Sequence, residues 1–169
     1  MIIETSRLIL REWKMSDIPF LVENMNDIEM SRDFGTNYPY TYNDAKNFIE
    51  DAIKNNKKKF AIILKESNNI IIGGCGLHLS GRIGSGSLWI AKKYRRMGYG
   101  TEAVKAIFQY GFEYCNVERY ENYYYNGNIA SKRLQLRIGS VDDEANSNIN
   151  TENKTQIRLK MNLLKKDFK

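Results

Sequence analysis

Cysteine, histidine and proline are scarce in this chain. Of its 169 residues two are cysteine (Cys75 and Cys115), one is histidine (His78) and two are proline. Two cysteines without a C-x-x-C spacing exclude a disulfide framework and a zinc ribbon, so both read as reduced core residues and no metal site is expected. No apolar run approaches the roughly 20 residues that span a bilayer, and Met1-Ile2-Ile3-Glu4 meets charge at once, without a signal-peptide core. A cytoplasmic protein without a membrane partner is the expectation. A solenoid repeat, a G-x-x-x-x-G-K-[ST] phosphate loop and a recognised nucleic-acid motif are lacking too.

What is present suits a globular chain. The apolar share is 42% and the charged share 27%, enough to bury a core, and the length suits one domain over residues 1–169. The net charge of +6 points to an anionic partner: nucleic acid, a membrane surface or a phosphorylated cofactor. Much of that charge lies in Lys57-Lys58-Lys59 and Lys165-Lys166, where a solvated face is the plainer reading.

Residues 2–13 read as a first strand, with Leu8 and Leu10 on one face and Arg7, Ile9 and Arg11 on the other. A helix follows from Ser16-Asp17, with Pro19 in its first turn, to about Met30. A tyrosine-rich loop covers residues 34–42. Ala45, Phe48, Ile49, Ala52 and Ile53 then mark an amphipathic helix behind Asn43-Asp44. Residues 60–64 and 70–79 form a hairpin around Glu66-Ser67-Asn68-Asn69, and Gly73, Gly74 and Gly76 mark a bulge or a close backbone approach. Residues 80–86 read as a flexible loop and 87–90 as a short strand. A helix over 101–116, a strand over 119–125, a helix over 129–138, an Asn-rich loop over 144–153 and a strand through Ile157, Leu159, Met161 and Leu163 complete the order. Antiparallel pairs early and a crossover helix late make this an α+β sandwich around one mixed sheet.

The stretch that carries chemistry is Arg95-Arg96-Met97-Gly98-Tyr99-Gly100-Thr101-Glu102-Ala103, between a strand and a strong helix. Outward N–H groups at a helix N-terminus, two glycines that admit a phosphate and two arginines make an anion site. Gly98, Gly100 and Ala103 also satisfy G-x-G-x-x-A. However, polar residues separate the strand from the glycines, and too little chain follows for a doubly wound sheet. Glu102 has a sufficient reason in the helix dipole.

Arg95-x-x-Gly98-x-Gly100 resembles the coenzyme A loop of the GNAT acetyltransferases. The flanks from Trp89 to Arg95 and from Gly100 to Ala103, the opening Glu4-Thr5-Ser6-Arg7-Leu8-Ile9-Leu10-Arg11-Glu12-Trp13, the segments Ile72-Gly73 to Leu77-His78 and Asn128-Ile129-Ala130-Ser131-Lys132-Arg133 are similar to the RimJ/RimL group. Ile138-Gly139-Ser140 departs from that group's Leu-Gly-Phe or Leu-Gly-Tyr. The resemblance implies a mixed, mostly antiparallel sheet flanked by helices. It also implies transfer of acetyl from acetyl-CoA to a primary amine, most directly the α-amine of a ribosomal or other protein, with CoA as product. Leu88, Trp89, Ile90, Arg95, Arg96, Met97, Gly98, Tyr99, Gly100, Thr101, Asn128 and Ser131 would then hold the cofactor.

In this group the serine corresponding to Ser131 is a candidate acid for the departing thiolate. Two readings of Asn128 stay open, a helix cap and a CoA contact. Tyr124, which faces opposite to Tyr123 and Tyr125, and His78, which reads first as structural, are secondary catalytic candidates. The loops at 34–42 and 80–86 are expected to wall the acceptor. Acceptance of a small amine (a polyamine, an amino acid or an antibiotic) is the alternative within the fold, and nucleic-acid binding through lysines and tyrosines the alternative outside it. The sequence sets no oligomeric state.

Overall fold

The computed structural model describes residues 1–55, 58–143, 149–150 and 157–169. Strands β1 (Ile2–Glu4), β2 (Leu8–Glu12), β3 (Lys58–Leu64), β4 (Ile70–Ser80), β5 (Ile83–Ile90), β6 (Arg119–Tyr125), β7 (Val141–Asp142), β8 (Ile149–Asn150) and β9 (Ile157–Leu164) form one sheet, with helices α1 (Ile18–Met25), α2 (Ile28–Phe34), α3 (Tyr42–Lys54), α4 (Tyr99–Tyr114) and α5 (Ile129–Arg137). The strand order is β1-β2-β3-β4-β5-β6-β9-β7, with β8 also on β9. Among the described residues all pairs are antiparallel except β5 with β6, which α4 connects as a crossover. The fold is α+β, as the element order implies.

Two apolar layers hold the sheet. On one face Leu8, Leu10, Ile62 and Ile72 pack with Val104, Ile107 and Phe108 of α4. On the other, Ala61 and Ile63 pack with Leu21, Ala45 and Ile49 from α1 and α3. The alternation of Leu8 and Leu10 against Ile9 and Arg11 therefore reaches opposite cores, as period-two geometry demands. Cys75 is buried in the first core, which pushes its thiol up to about 12, and Cys115 is half-buried. Neither is disulfide-bonded.

Several local readings are corrected. Residues 2–13 form two strands, because the N–H of Thr5 donates to the Leu8 carbonyl and the N–H of Leu8 donates to Thr5 Oγ1, closing a turn (2.9 Å each). The helix expected to reach Met30 breaks at Asn26-Asp27. There Asp27 takes an extended backbone and its carboxylate accepts from the N–H groups of Glu29 and Met30, starting α2 afresh. The cap of α3 is Thr41, in a capping box with Asp44, two residues before the expected Asn43-Asp44 start, and Ile53 is 60% exposed.

Residues 83–86 are strand rather than loop. Only Gly81 and Arg82 stand between the paired ends Ser80 and Ile83. Gly84 and Gly86 are small because rings lie over them: an added Cβ would sit 2.5 Å from Tyr120 Cε1 and 2.4 Å from Phe108 Cε1, respectively. The glycines of β4 do mark irregularity, since the register shifts between Ile62–Gly73 and Ile63–Ile71, leaving Ile72 as the extra residue of a bulge. Most of the expected 144–153 loop lies outside the described residues, but Ile149 and Asn150 pair with β9. After α5, Gly139 has φ +99° and Ser140 is buried, so the departure from Leu-Gly-Phe places a hydroxyl in the interior.

Candidate active site

The site begins where the sheet comes apart. β5 and β6 run parallel but pair only at Ile83 with Arg119 and Gly84 with Tyr120. Beyond that point the Gly86 N–H, which faces β6, donates to the Asn122 side chain at 2.9 Å. Because N–H groups alternate sides along a strand, Leu88 and Ile90 present theirs to the same opening edge. Parting two parallel strands exposes backbone polar groups along a cleft, which an extended ligand with its own amides can satisfy. Trp89 points to the other face, where it stacks with Trp13 and Phe20 at 6.4 and 5.9 Å between ring centroids.

The cleft leads to the N-terminus of α4. Gly98 is the N-cap, with φ +84° and no side chain to cap the helix, so the N–H groups of Tyr99, Gly100 and Thr101 remain available to an anion. Arg96 also takes positive φ (+65°) in the turn before the helix. Met97 is exposed. Gly100 has a packing reason as well: a Cβ there would lie 3.1 Å from Leu88 Cδ2, where the helix crosses β5.

Arg95 does not add its charge to the loop in the way its sequence position suggests. Its Nε donates to the Ile90 carbonyl at 2.8 Å and its guanidinium reaches Met30 Sδ at 3.6 Å, tying the end of β5 to α2. A cation that does lie against the loop is Arg7. It donates to the Met97 carbonyl at 3.1 Å, binds the Glu102 carboxylate at 2.7 Å and lies 4.6 Å over the Tyr99 ring. Glu102 also accepts from Thr5 and Ser6 hydroxyls and the Arg7 N–H. Burial pushes its carboxyl up, and the hydrogen bonds from Thr5, Arg7 and Ser6 outweigh this to hold it below its ordinary value. Sequence reasoning placed Arg7 only on a strand face; what could have singled it out is a cation in a polar Thr-Ser-Arg turn.

Asn128 is the N-cap of α5, accepting from the Ser131 N–H at 3.0 Å, so the cap reading of this residue holds, and Ser131 is half-buried in the first turn. Tyr124 is buried on β6 with its hydroxyl 3.3 Å from Asp142, which also binds Lys132 at 2.9 Å. His78 is exposed on β4. Next to Trp89, a small pocket of about 130 Å³ is lined by Glu23, Asp27, Met30, Ile90, Lys92 and Arg95, among others. In it Asp27 is ion-paired with Lys92, which holds its carboxyl below the usual carboxylate range.

Residues 7–141 match the family model described as an acetyltransferase (GNAT) domain. The chain belongs to the GNAT acetyltransferase family. It is an acetyl-CoA-dependent N-acetyltransferase, and the match takes in β5, the cleft and the loop before α4. A curated relative, the uncharacterized N-acetyltransferase YnaD of Bacillus subtilis, is 29% identical over 138 residues, 81% of each chain. Solved structures share the GNAT fold: an acetyltransferase from Bacillus anthracis (TM-score 0.87, 23% identity, covering 98% of this chain and 99% of that one); a spermidine N-acetyltransferase from Vibrio cholerae with CoA and spermine (0.79, 16%, 96% and 98%); and RimL, a ribosomal α-N-protein acetyltransferase with coenzyme A (0.80, 14%, 97% and 98%). No helix among the described residues is long and apolar enough to cross a membrane.

Proposed function

We propose that this GNAT enzyme acetylates the α-amine of a protein N-terminus, that of a ribosomal protein or another, by direct attack on acetyl-CoA. The pyrophosphate is held by the backbone N–H groups of residues 98–101 with Arg96, and the pantetheine arm lies along Leu88 and Ile90. The neutral amine attacks the thioester carbon, the C–N bond forms and the C–S bond breaks. Ser131 gives its proton to the departing thiolate and is reprotonated from solvent, which also takes the proton released by the amine. Backbone N–H groups of the open strand edge stabilise the oxyanion.

The observation that carries the choice of acceptor is the state of the carboxylates beside the cleft. Asp27 is spent on Lys92 and on capping α2, and Glu102 on Arg7. A polycation therefore meets the exposed cations Lys93 and Arg96, with Glu23 as the exposed carboxylate of the small pocket. An α-amine also asks less of the site: freeing it of its proton at pH 7 costs about 1 kcal/mol, against about 5 kcal/mol for a lysine-type amine. Water can accept that proton without a dedicated base.

The test is CoA-thiol release from acetyl-CoA with unblocked peptides, the same peptides N-terminally blocked, and spermidine. Turnover with unblocked peptides alone supports the reading. Turnover with spermidine, or with the blocked peptides, contradicts it and moves the acceptor to small amines or to lysine side chains.

A further inference from the structure

The sheet parts at one particular side chain. After the paired residues Gly84 and Tyr120, the next rung between β5 and β6 is the Asn122 carboxamide, whose Oδ1 accepts from the Gly86 N–H at 2.9 Å. Asn122 is only 5% exposed, on the buried face of β6 between Tyr120 and Tyr124. A backbone N–H can only donate, so Gly86 fixes the carboxamide with its oxygen toward β5. The Nδ2 that remains is a buried donor with no hydrogen-bond partner among the described residues. Leaving such a donor unsatisfied costs about 1–3 kcal/mol, and folded proteins rarely do so where no ligand or water uses it. Continued pairing with the β6 backbone would satisfy Gly86 equally well, so supporting the sheet does not account for an asparagine here.

We propose that Asn122 is a substrate-binding residue at the closed end of the cleft. It donates its Nδ2–H to a carbonyl oxygen at the acyl end of acetyl-CoA, either the thioester carbonyl or the nearest pantetheine amide carbonyl. This rests on the loop before α4 being the pyrophosphate site. With the anion at Gly98–Thr101 and the arm along the open edge of β5, the nucleotide stays outside. Ile90 and Gly86 are four positions apart on the strand, about 13 Å at the usual strand rise. The thioester end is thus the part of the molecule that reaches the vertex.

Calorimetric titration of acetyl-CoA and of CoA into wild type, Asn122→Asp and Asn122→Leu tests this. The aspartate keeps an acceptor for Gly86 and loses the donor, whereas leucine loses both. Both variants should bind acetyl-CoA about 3- to 10-fold more weakly, the loss expected for one hydrogen bond. If CoA binding is unchanged, the thioester carbonyl is the partner; if it falls in parallel, the amide carbonyl is. Affinity is measured on the folded fraction and stoichiometry reports that fraction, so partial misfolding does not imitate the result. Wild-type affinity for acetyl-CoA in both variants, or in the aspartate alone, overturns the proposal and leaves Asn122 as a strut for Gly86. Absence of binding by the wild type instead defeats the pyrophosphate reading beneath it.

Discussion

Arg7 and Glu102, 95 positions apart in the chain, meet at 2.7 Å through both guanidinium Nε and Nη2 on one carboxylate oxygen. The pair joins the turn between β1 and β2 to the first turn of α4, and Arg7 also holds the Met97 carbonyl. It does two things for the site. It braces the loop proposed to hold the pyrophosphate, and it neutralises a carboxylate that would otherwise repel a phosphate bound there.

Removing either partner should therefore weaken cofactor binding more than it weakens the fold. Arg7 is 38% exposed and Glu102 16%, so solvent screening limits the stability loss for Arg7→Ala to about 1–2 kcal/mol. A several-fold rise in KM for acetyl-CoA should accompany it. Steady-state kinetics with thermal melts checks the split; a lower melting temperature with unchanged KM would show that Arg7 supports the fold alone.

The same pair predicts a pH effect. Glu102 is held below its ordinary value of 4.5, so its contribution to stability is present above that pH and is lost as pH falls through the lower folded-state value. Below about pH 4.5 the melting temperature of the wild type should drop faster than that of Glu102→Gln, which has no carboxylate to protonate. Parallel curves would contradict this.

Tyr120 anchors the crossover. Its ring stacks on Phe108 at 3.8 Å, and its buried hydroxyl donates to the Phe108 carbonyl at 3.0 Å. A Cβ on Gly111 would come within 1.8 Å of that hydroxyl. Gly111→Ala should destabilise by about 2 kcal/mol or more as an overpacked core, and Tyr120→Phe alone by about 1 kcal/mol. Combined, the two should cost less than their sum, because the second removes the atom that clashes. Denaturant unfolding of the four proteins measures this, and strict additivity would count against the contact.

Asn128, a helix cap, and Ser131, the proposed acid, should separate under mutation. Asn128→Ala removes a cap and should cost about 1 kcal/mol of stability. Ser131→Ala should leave stability nearly unchanged while lowering kcat by about 100-fold, as for loss of a general acid. A Ser131→Ala enzyme with wild-type kcat would remove the serine from the mechanism.

Much of this was legible in the sequence because it is local. Strand alternation at Leu8 and Leu10, the apolar face of α4 and the glycines before it all depend on neighbours a few residues away. What was not legible depends on partners far along the chain. The expected loop at 80–86 rested on its glycines, yet Gly84 and Gly86 are small because Tyr120 and Phe108 cover them. Arg95 looked like a phosphate ligand by position, and only the fold reveals the Ile90 carbonyl that takes its Nε. Arg7 looked like a strand residue until α4 brought Glu102 to it, and Asn122 carried no signal at all before β5 came alongside.

The most direct test is thermal stabilisation by acetyl-CoA in the wild type and in Gly98→Glu. At Gly98 the backbone has φ +84°, a Cβ would sit 3.3 Å from the Arg7 guanidinium, and a carboxylate would stand among the amides proposed to hold the pyrophosphate. A rise in melting temperature with acetyl-CoA in the wild type, and its loss in the variant, is the expected result. A wild type that saturating acetyl-CoA leaves unchanged, or a variant stabilised equally, would contradict the assignment of this loop as the cofactor site.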